Sequence, residues 1–260
     1  MEEIRNDVLL LEIKNRTAYI TVNRPDQLNA LNADTLNKLA TVLAGLEIDH
    51  HVRGVILTGA GDKAFVAGAD IRELQQASAD DARQLARSTQ KEVMDMLYGF
   101  PKPVIAAING FALGGGLELA MACHLRVATE QAKMGLPEVS LGIIPGYGGT
   151  QRLPALVGRG KALEMIMTGE MITAHDALQW GLVNHVVAAD ELIPTAEKLL
   201  EKMYQRSKTA LATAIRVVNT GLITPEKGHH EEIEAFGAIR DTPDAEEGLA
   251  AFLEKRKPNF

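Results

Sequence analysis

The sequence Asn109-Gly-Phe-Ala-Leu-Gly-Gly-Gly-Leu-Glu-Leu-Ala-Met-Ala-Cys123 places three consecutive glycines between a strand pattern and an apolar helix pattern. Glycines let the backbone turn sharply and leave the free amide N–H groups of a helix N-terminus open to a ligand. Glu118 lies among apolar residues, where a carboxylate is rarely buried unless it is paired or functional. Read alone, the run also fits a tight turn in which Glu118 only stabilises the helix dipole.

The same order of elements recurs on both sides of this run. Two β-rich segments, 8–14 and 17–23, flank the polar pair Asn15-Arg16 and predict a hairpin. Asn32 can then cap a helix whose leucines recur at three- and four-residue steps, at Leu36, Leu39, Leu43 and Leu46. Further strands are predicted at 53–58, 103–109 and 125–128, and further helices at 80–97 and 116–122. The alternation predicts an α/β fold built from strand, strand, helix units.

Beyond about residue 195 only helical patterns follow, at 196–204, 208–218, 226–238 and 244–255. We therefore expect an α/β domain over 1–195 and a helical region over 196–260. Asp244, with Glu247 three positions later, has the form of a capping box. The apolar stripe of this region needs a surface to cover, and the pattern leaves open whether that is its own body or a neighbouring subunit.

Composition excludes several classes of protein. The 260 residues are 46% hydrophobic and 23% charged, which is typical of a globular chain. The net charge of -7 gives no reason to expect nucleic acid or an anionic membrane as a partner, and no run approaches the roughly 20 apolar residues of a membrane helix. Cys123 is the only cysteine, and Met1-Glu-Glu-Ile-Arg-Asn-Asp7 resembles no leader, so we expect a cytoplasmic protein.

Two more clusters combine small residues with a carboxylate. Lys63-Ala-Phe-Val-Ala-Gly-Ala-Asp-Ile71 follows a predicted strand, and its small residues would let a backbone amide reach a ligand. The Asp70 carboxylate would then belong to a ligand-binding loop, or it would only accept hydrogen bonds from the backbone of its own turn. In the segment 136–153, Glu138 follows a proline and precedes an apolar run, and its alternative is a solvated loop residue.

Three motifs of other protein classes do not fit the residues around them in this sequence. Gly59-Ala-Gly61-Asp-Lys-Ala64 matches a dinucleotide fingerprint, but Gly68 interrupts the helix that such a fold needs there. Ser140 lacks the glycine that a nucleophile elbow has two positions earlier, because position 138 is glutamate. The adjacent histidine pairs lack the i, i+4 spacing of a helical metal site, so we expect no metal.

Taken together, these clusters resemble the enoyl-CoA hydratase/isomerase family, also called the crotonase family. The likeness covers nearly the whole chain and is carried, in order, by Val22–Pro25, Asn29–Asn32, Ala67–Asp70, Gly110–Ala120, Pro145–Leu153 and Phe252–Phe260. It implies a spiral of repeated strand-strand-helix turns, followed by a helical region that forms trimers or pairs of trimers.

The resemblance also implies a substrate and a site. Family members bind acyl-CoA thioesters, with coenzyme A as part of the substrate and no separate cofactor or metal. Two backbone amides form the oxyanion hole, and they fall on Ala69 and Gly115. Other substrate-binding positions fall on Ala67, Gly68, Asp70, Ile71, Gly114 and Tyr147.

Hydratases of the family carry two catalytic glutamates, which fall on Glu118 and Glu138. The implied enzyme is a hydro-lyase that adds water to short- or medium-chain trans-2-enoyl-CoA, giving 3-hydroxyacyl-CoA in fatty-acid β-oxidation or a related acyl-CoA pathway. We assign proton delivery at the α-carbon to Glu138 and water activation to Glu118, although exchanged roles would fit the sequence as well.

Several alternatives stay open. The same family includes isomerases and branched-chain acyl-CoA dehydratases, and non-catalytic or RNA-binding members, although the first helix here contains only Lys38 as a basic residue. Tyr147 would narrow the acyl pocket or cover its rim. Arg72, Lys63 and the basic run 255–257 are candidates for CoA phosphate contacts or plain solvated charge.

Overall fold

The computed structural model describes residues 4–6 by their backbone and residues 8–260 in full. Residues 1–3 and 7, on which the expectation about a leader partly rests, lie outside this description. The strands are β1 Ile4–Asn6, β2 Leu9–Lys14, β3 Thr17–Val22, β4 Gly54–Gly59, β5 Ala64–Val66, β6 Val104–Ile108, β7 Phe111–Leu113, β8 Leu125–Thr129, β9 Lys133–Gly135, β10 Ile172–Thr173 and β11 His185–Val187.

The α-helices are α1 Ala33–Ile48, α2 Ile71–Gln76, α3 Ala79–Thr89, α4 Asp95–Tyr98, α5 Gly115–Ala122, α6 Gly149–Val157, α7 Arg159–Thr168, α8 Ala174–Gln179, α9 Leu192–Tyr204, α10 Lys208–Ile223, α11 Pro225–Arg240 and α12 Pro243–Leu253. A π-helical turn, Gln90–Met94, joins α3 to α4. A 3₁₀ turn spans Pro137–Leu141.

The N-terminal predictions are confirmed. β2 and β3 pair antiparallel, and the turn between them places Asn15 and Arg16 at positive φ. The Asn32 side chain accepts a hydrogen bond from the Thr35 amide at 3.0 Å and so caps α1. The leucine stripe of α1 is buried in the core.

The chain winds as a spiral because consecutive strands enter two different sheets. The larger sheet has the order β1-β2-β3-β4-β6-β8-β11 and the smaller one β10-β9-β7-β5. In each turn of the spiral, one strand enters the larger sheet and the next strand along the chain enters the smaller one; these successive strands are β4 and β5, β6 and β7, and β8 and β9. Helices follow each of these turns. Within each sheet, the strands from successive turns pair in parallel. The predicted strand-strand-helix spiral is confirmed.

Gly59 to Ala64 does not form a dinucleotide-binding turn. The chain passes from β4 through a short bend into β5 rather than into a helix. The rejection of the fingerprint on its context was therefore right.

Both faces of the larger sheet are covered. Helix α9 packs on one face, where Leu192, Ala196 and Leu200 form a core cluster with Ile56 and Ile105. The predicted domain boundary at 195/196 falls inside this helix, which begins at Leu192. The division into two domains stays a prediction.

The last three helices carry exposed apolar side chains. Phe236 of α11 is 76% exposed and Phe252 of α12 is 81% exposed. Within residues 8–260, no helix is long and apolar enough to cross a membrane. The capping box predicted at Asp244 is wrong: Thr242 caps α12 through the Ala245 amide, and the Asp244 carboxylate instead accepts a hydrogen bond from Ser207. Pro243 occupies the first helical position, where its missing N–H is not needed.

Candidate active site

The three glycine-containing clusters meet at one cavity of about 570 Å³. Its wall contains both predicted glutamates, Glu118 and Glu138, and both predicted amide positions, Ala69 and Gly115. The remaining predicted positions in the wall are Ala67, Gly68, Ile71, Gly114 and Tyr147. Loops that follow the strands of the smaller sheet deliver these residues, because β5, β7 and β9 end side by side at the same edge.

The Ala69 amide is directed away from the strand pairing that holds its loop. Leu31 and Ala69 form an isolated parallel bridge. Leu31 donates to the Gly68 carbonyl and accepts from the Asp70 amide, both at 2.8 Å. In such a bridge one residue bonds to the two neighbours of its partner, so the partner's own N–H points to the opposite side. Among the described residues, no backbone or side-chain oxygen accepts a hydrogen bond from the Ala69 N–H.

Gly115 supplies the second free amide. It is the first residue of α5, and the first N–H groups of a helix have no partner within the helix. A Cβ on Gly115 would lie 3.5 Å from the Ala69 nitrogen, so the two amides share one part of the cavity. Two donors so placed can bind one oxygen that carries negative charge.

The neighbouring glycines are required for different reasons. Gly114 has φ +50°, and a Cβ there would lie 2.9 Å from Oε1 of Glu138. At Gly116 a Cβ would overlap the carbonyl of Val66, so α5 can lie against β5 only without a side chain at this position. The glycine run therefore positions the free amide of Gly115 and leaves room for the carboxylate of Glu138.

Glu118 is 1% exposed and is held by backbone donors. Its Oε1 accepts hydrogen bonds from the amides of Tyr147 at 2.8 Å and Gly149 at 2.7 Å. Burial, assisted by the nearby charge of Glu138, raises the pKa of Glu118 to about 7, although the two backbone donors and the Arg152 charge act in the opposite direction. One carboxylate oxygen is thus fixed, and the other is left for a ligand.

Glu138 lies in the 3₁₀ turn and is 9% exposed. Its Oε2 is buried and has no hydrogen-bond partner among the described residues. Burial raises the pKa of this carboxyl group, which favours its protonated form. An unsatisfied buried carboxyl oxygen in a cavity wall indicates a position where a ligand supplies the missing partner.

Asp70 lies beside the cavity and not in its wall. Its carboxylate accepts a hydrogen bond from Arg24 at 3.0 Å and caps α2 through the Arg72 amide. The Arg24 hydrogen bond lowers the pKa of Asp70. The side chain therefore fixes the loop that presents Ala69, as the turn-capping alternative described.

Residues 12–260 match the family model described as enoyl-CoA hydratase/isomerase. The chain belongs to this family. It is 46% identical over 253 residues to the crotonyl-CoA hydratase of Syntrophomonas wolfei subsp. wolfei, with 97% of each chain covered. It is 45% identical over 250 residues to the short-chain-enoyl-CoA hydratase of Clostridium acetobutylicum, with 96% of this chain and 95% of that one covered.

Solved structures of similar proteins have the same fold. The enoyl-CoA hydratase from Bacillus anthracis superposes with a TM-score of 0.91 at 40% identity, and the comparison covers 97% of this chain and 98% of that chain. The resemblance stated from the sequence motifs is confirmed by these comparisons.

The sequence missed the apolar part of the cavity wall. Its members come from α2, α3, the 3₁₀ turn and the segment after that turn: Leu74, Ala82, Leu85, Ala86, Pro137, Leu141, Gly142, Ile143, Ile144 and Gly146. For the residues of α3, the three- and four-residue spacing of Ala82, Leu85 and Ala86 on an otherwise polar helix is a signal that could have identified them. Tyr147 is nearly buried, with its ring 3.1 Å from the position of a Gly115 Cβ, so it lies at the amide pair and not at the rim.

The basic candidates are not part of this wall. Arg72 and Lys63 are exposed near the loop that presents Ala69. Arg256 is paired with Glu247 and Glu254. In the described part of the chain, no group of three or more His, Cys, Asp or Glu side chains is arranged to hold a metal ion.

Proposed function

We propose that this chain is an enoyl-CoA hydratase that adds water to short- or medium-chain trans-2-enoyl-CoA and forms 3-hydroxyacyl-CoA. The observation that carries the proposal is the juxtaposition of two buried carboxyl groups with two free amides in one largely apolar cavity. The names of the similar proteins, crotonyl-CoA hydratase and short-chain-enoyl-CoA hydratase, support the same reaction.

The two amides would bind the thioester oxygen. When water attacks the β-carbon, the electrons of the double bond move towards the carbonyl and negative charge develops on that oxygen as an enolate. The N–H groups of Ala69 and Gly115 are fixed by the strand bridge and the helix before substrate arrives. Preorganised donors of this kind stabilise a transition state by about 3–4 kcal/mol each.

The two carboxyl groups would share the proton transfers. Glu118, with Oε1 held by two amides, accepts a proton from the attacking water at its other oxygen. As that proton leaves, the oxygen of the water forms the new bond at the β-carbon and the electrons of the double bond move into the enolate. Glu138 then delivers a proton to the α-carbon as the enolate collapses to the thioester. The product thus keeps one hydrogen of the water in its hydroxyl group and takes its α-hydrogen from Glu138, and the proton held by Glu118 restores the starting state when it returns to Glu138.

The electrostatics of the pair support one acid and one base. Burial raises the pKa of both Glu118 and Glu138, and the charge of Glu138 contributes to the raised pKa of Glu118. Two carboxylates in one poorly solvated cavity repel each other when both are ionised, so the pair retains a proton near neutral pH. That state contains the base and the acid that hydration needs at the same time.

The chemistry needs no group beyond water and the thioester. Every electron pair that moves belongs to the substrate or water, and every proton belongs to water or a carboxyl group. We therefore propose that the protein uses no resident cofactor or metal. We also propose a cytoplasmic location and a role in fatty-acid β-oxidation or a related acyl-CoA pathway, as a buried free thiol at Cys123 suits a reducing compartment.

Loss of the absorbance of the conjugated thioester on hydration of crotonyl-CoA tests the proposal. The wild-type chain should hydrate crotonyl-CoA, and Glu130→Gln should do so equally, because Glu130 is exposed and lies outside the cavity wall. Failure of purified, folded protein to hydrate crotonyl-CoA or its longer homologues would contradict the proposal.

We further propose that the chain assembles as a trimer or a pair of trimers. The exposed apolar side chains of the C-terminal helices support an interface there, among them Ile233 and Phe236 of α11 and Phe252 and Leu253 of α12. Light scattering should give a trimer or hexamer at micromolar concentration, and Phe236→Asp should weaken it. A stable, fully active monomer would contradict this proposal.

A further inference from the structure

Arg152 lies behind the cavity wall and joins the loop that holds Glu118 to a different helix. One nitrogen of its guanidinium donates to the Tyr147 carbonyl at 3.0 Å, and the other donates to Asp95 at 2.9 Å. The group also lies over the Tyr98 ring, 5.2 Å from its centre. The Arg152 side chain is only 11% exposed, yet the residue contributes nothing to the cavity wall.

The Tyr147 peptide connects Arg152 to the carboxylate. The N–H of Tyr147 donates to Glu118, while its carbonyl accepts from Arg152. Gly149, which gives the second hydrogen bond to Glu118, is the first residue of α6, and Arg152 lies in the first turn of the same helix. The two amides that donate to Glu118 therefore lie in the loop and the first helical turn that the Arg152 side chain holds in place.

The backbone on both sides of the Arg152–Asp95 ion pair accommodates it. Gly148 has φ +99°, and a Cβ there would overlap the Arg152 guanidinium. On the other side, the π-helical turn brings Gln90 next to Asp95, so that the Gln90 amide also donates to the Asp95 carboxylate at 2.5 Å. π-helical turns are rare and occur most often at functional sites.

We propose that Arg152, held by Asp95, is a positioning residue that fixes the Tyr147–Gly149 loop and thereby the orientation of the Glu118 carboxylate. This inference rests on the proposed hydratase function, because it assigns Glu118 the role of base. Arg152 itself touches neither substrate nor water in this scheme. It acts through two amides and through its positive charge.

The positive charge of Arg152 predicts the direction in which the pKa of Glu118 changes in each variant. The ionisable groups around Glu118 are Glu138 and Tyr147 on the cavity side and Arg152 behind it, and Arg152 in turn faces Asp95 and Tyr98. A positive charge near Glu118 favours its ionised form, and a negative charge near Arg152 offsets part of that effect. Removing Arg152 should raise the pKa of Glu118, while neutralising Asp95 should lower it.

A purely structural role predicts something different. If Arg152 and Asp95 only tied α6 to α4, then losing either one would loosen the loop in the same way, and the pH dependence of activity would move in one direction for both. Asp95→Asn preserves an oxygen that can accept from Arg152 and removes only the charge. The pair of variants therefore separates positioning with charge from simple bracing.

The experiment measures kcat, KM and the pH profile of crotonyl-CoA hydration for wild type, Arg152→Met, Arg152→Lys and Asp95→Asn. Arg53→Met is the matched control, since Arg53, like Arg152, lies over a tyrosine ring and donates to backbone carbonyl oxygen, here of Tyr204 and Arg206, but it lies outside the cavity wall. We expect Arg152→Met to lower kcat at least about tenfold with little change in KM, because misplacing a catalytic group by a fraction of an ångström is costly. Arg152→Lys should recover part of kcat.

The acidic limb of kcat/KM should move to higher pH in Arg152→Met and to lower pH in Asp95→Asn. A folded Arg152→Met with wild-type kcat, or shifts of the same sign in both variants, would overturn the inference. If Arg152→Met does not fold, two results decide: a kcat of Arg152→Lys below that of wild type supports the inference, and so does a shift of the acidic limb to lower pH in Asp95→Asn, whereas the absence of both would overturn it. An inactive wild type would instead contradict the hydratase function itself, so the two failures are distinguishable.

Discussion

The Ala69 nitrogen lies 3.5 Å from the point where a Cβ on Gly115 would stand, although the two residues belong to different turns of the spiral. One amide is freed by a strand bridge and the other by a helix start. Both donors are backbone N–H groups, those of Ala69 and Gly115. A mutation can therefore remove one of them without changing any ionisable group.

Gly115→Pro tests this pair. Proline is tolerated at the first position of a helix, so α5 should still form, but its N–H is lost. We expect hydration of crotonyl-CoA to fall by a factor of about 10²–10³, the usual effect of losing one oxyanion donor. Steady-state kinetics and a far-UV circular dichroism spectrum measure the two outcomes.

Gly160→Pro is the control for that substitution. Gly160 lies in the first turn of α7, and a Cβ there would meet nothing within 4 Å. This variant should keep its activity. Substantial hydration by a folded Gly115→Pro would show that the amide of Gly115 is not a donor to the thioester oxygen.

The two glutamates should each be needed for hydration but not equally for proton movement alone. Glu118→Gln and Glu138→Gln should each reduce crotonyl-CoA hydration at least about a hundredfold, the scale of a general acid or base. Binding of the CoA thioester should be retained, which isothermal titration calorimetry measures. Glu130→Gln makes the same chemical change at an exposed site and should have no effect.

The same variants distinguish a hydratase from an isomerase. An isomerase moves a proton between carbons and needs no second carboxylate to hold water, so any conversion of 3-enoyl-CoA to 2-enoyl-CoA should survive loss of Glu118 better than loss of Glu138. A Glu118→Gln variant that hydrates at nearly the wild-type rate would favour the isomerase.

Stability should depend on pH through Glu118. Burial raises its pKa from 4.5 to about 7 in the folded chain. The unfolded chain therefore releases this proton at lower pH than the folded chain, so the stability of wild type relative to Glu118→Gln should fall as pH rises from about 4.5 to about 7 and then level off. The change should be on the order of 3 kcal/mol at most, since one unit of pKa corresponds to about 1.4 kcal/mol.

Thermal unfolding of wild type and Glu118→Gln at pH 5 and pH 8 measures this effect. We expect the melting temperature of the variant to rise relative to wild type at the higher pH. Glu130→Gln, measured in parallel, corrects for general effects of removing one charge. A difference between wild type and Glu118→Gln that is the same at both pH values would contradict the raised pKa.

The sequence predicted the parts of the site that are local. Gly114–Gly116 and Glu118 lie within one strand–turn–helix unit, and the small residues of Ala67–Ala69 identify a second loop, so residue types and spacing indicated both. The contact between Arg152 and Asp95 joins positions 57 apart in the chain and depends on a π-helical turn. Nothing in the periodicity of residues 80–97 indicates that turn, which is why this link became visible only in three dimensions.

The exposed apolar faces illustrate a second limit. The spacing of apolar residues predicted the stripe of the C-terminal helices, but it left open whether that stripe covers the body of the same chain or a neighbouring subunit. In the structure α9 covers the sheet, whereas Phe236 and Phe252 on later helices stay exposed. Which helix lies on the body depends on the loops between them, which carry little periodic signal.

The apolar wall formed by α3 should set the acyl-chain length. Ala82 and Ala86 lie one helical turn apart, and both line the cavity together with Leu85. Ala86→Leu fills part of this space, so kcat/KM should fall more for eight-carbon than for four-carbon 2-enoyl-CoA. Ala79→Leu is the matched control, because Ala79 on the same helix is exposed and outside the cavity wall.

The measured quantity is the ratio of kcat/KM for the two chain lengths in each variant. One methylene in an apolar pocket is worth a factor of about 10 or more, so the loss of several methylene positions should change the ratio at least tenfold in Ala86→Leu. Equal losses for both substrates would mean that α3 contacts the part of the thioester that they share, and the acyl chain would then have to lie against the exposed isoleucines at Ile143 and Ile144.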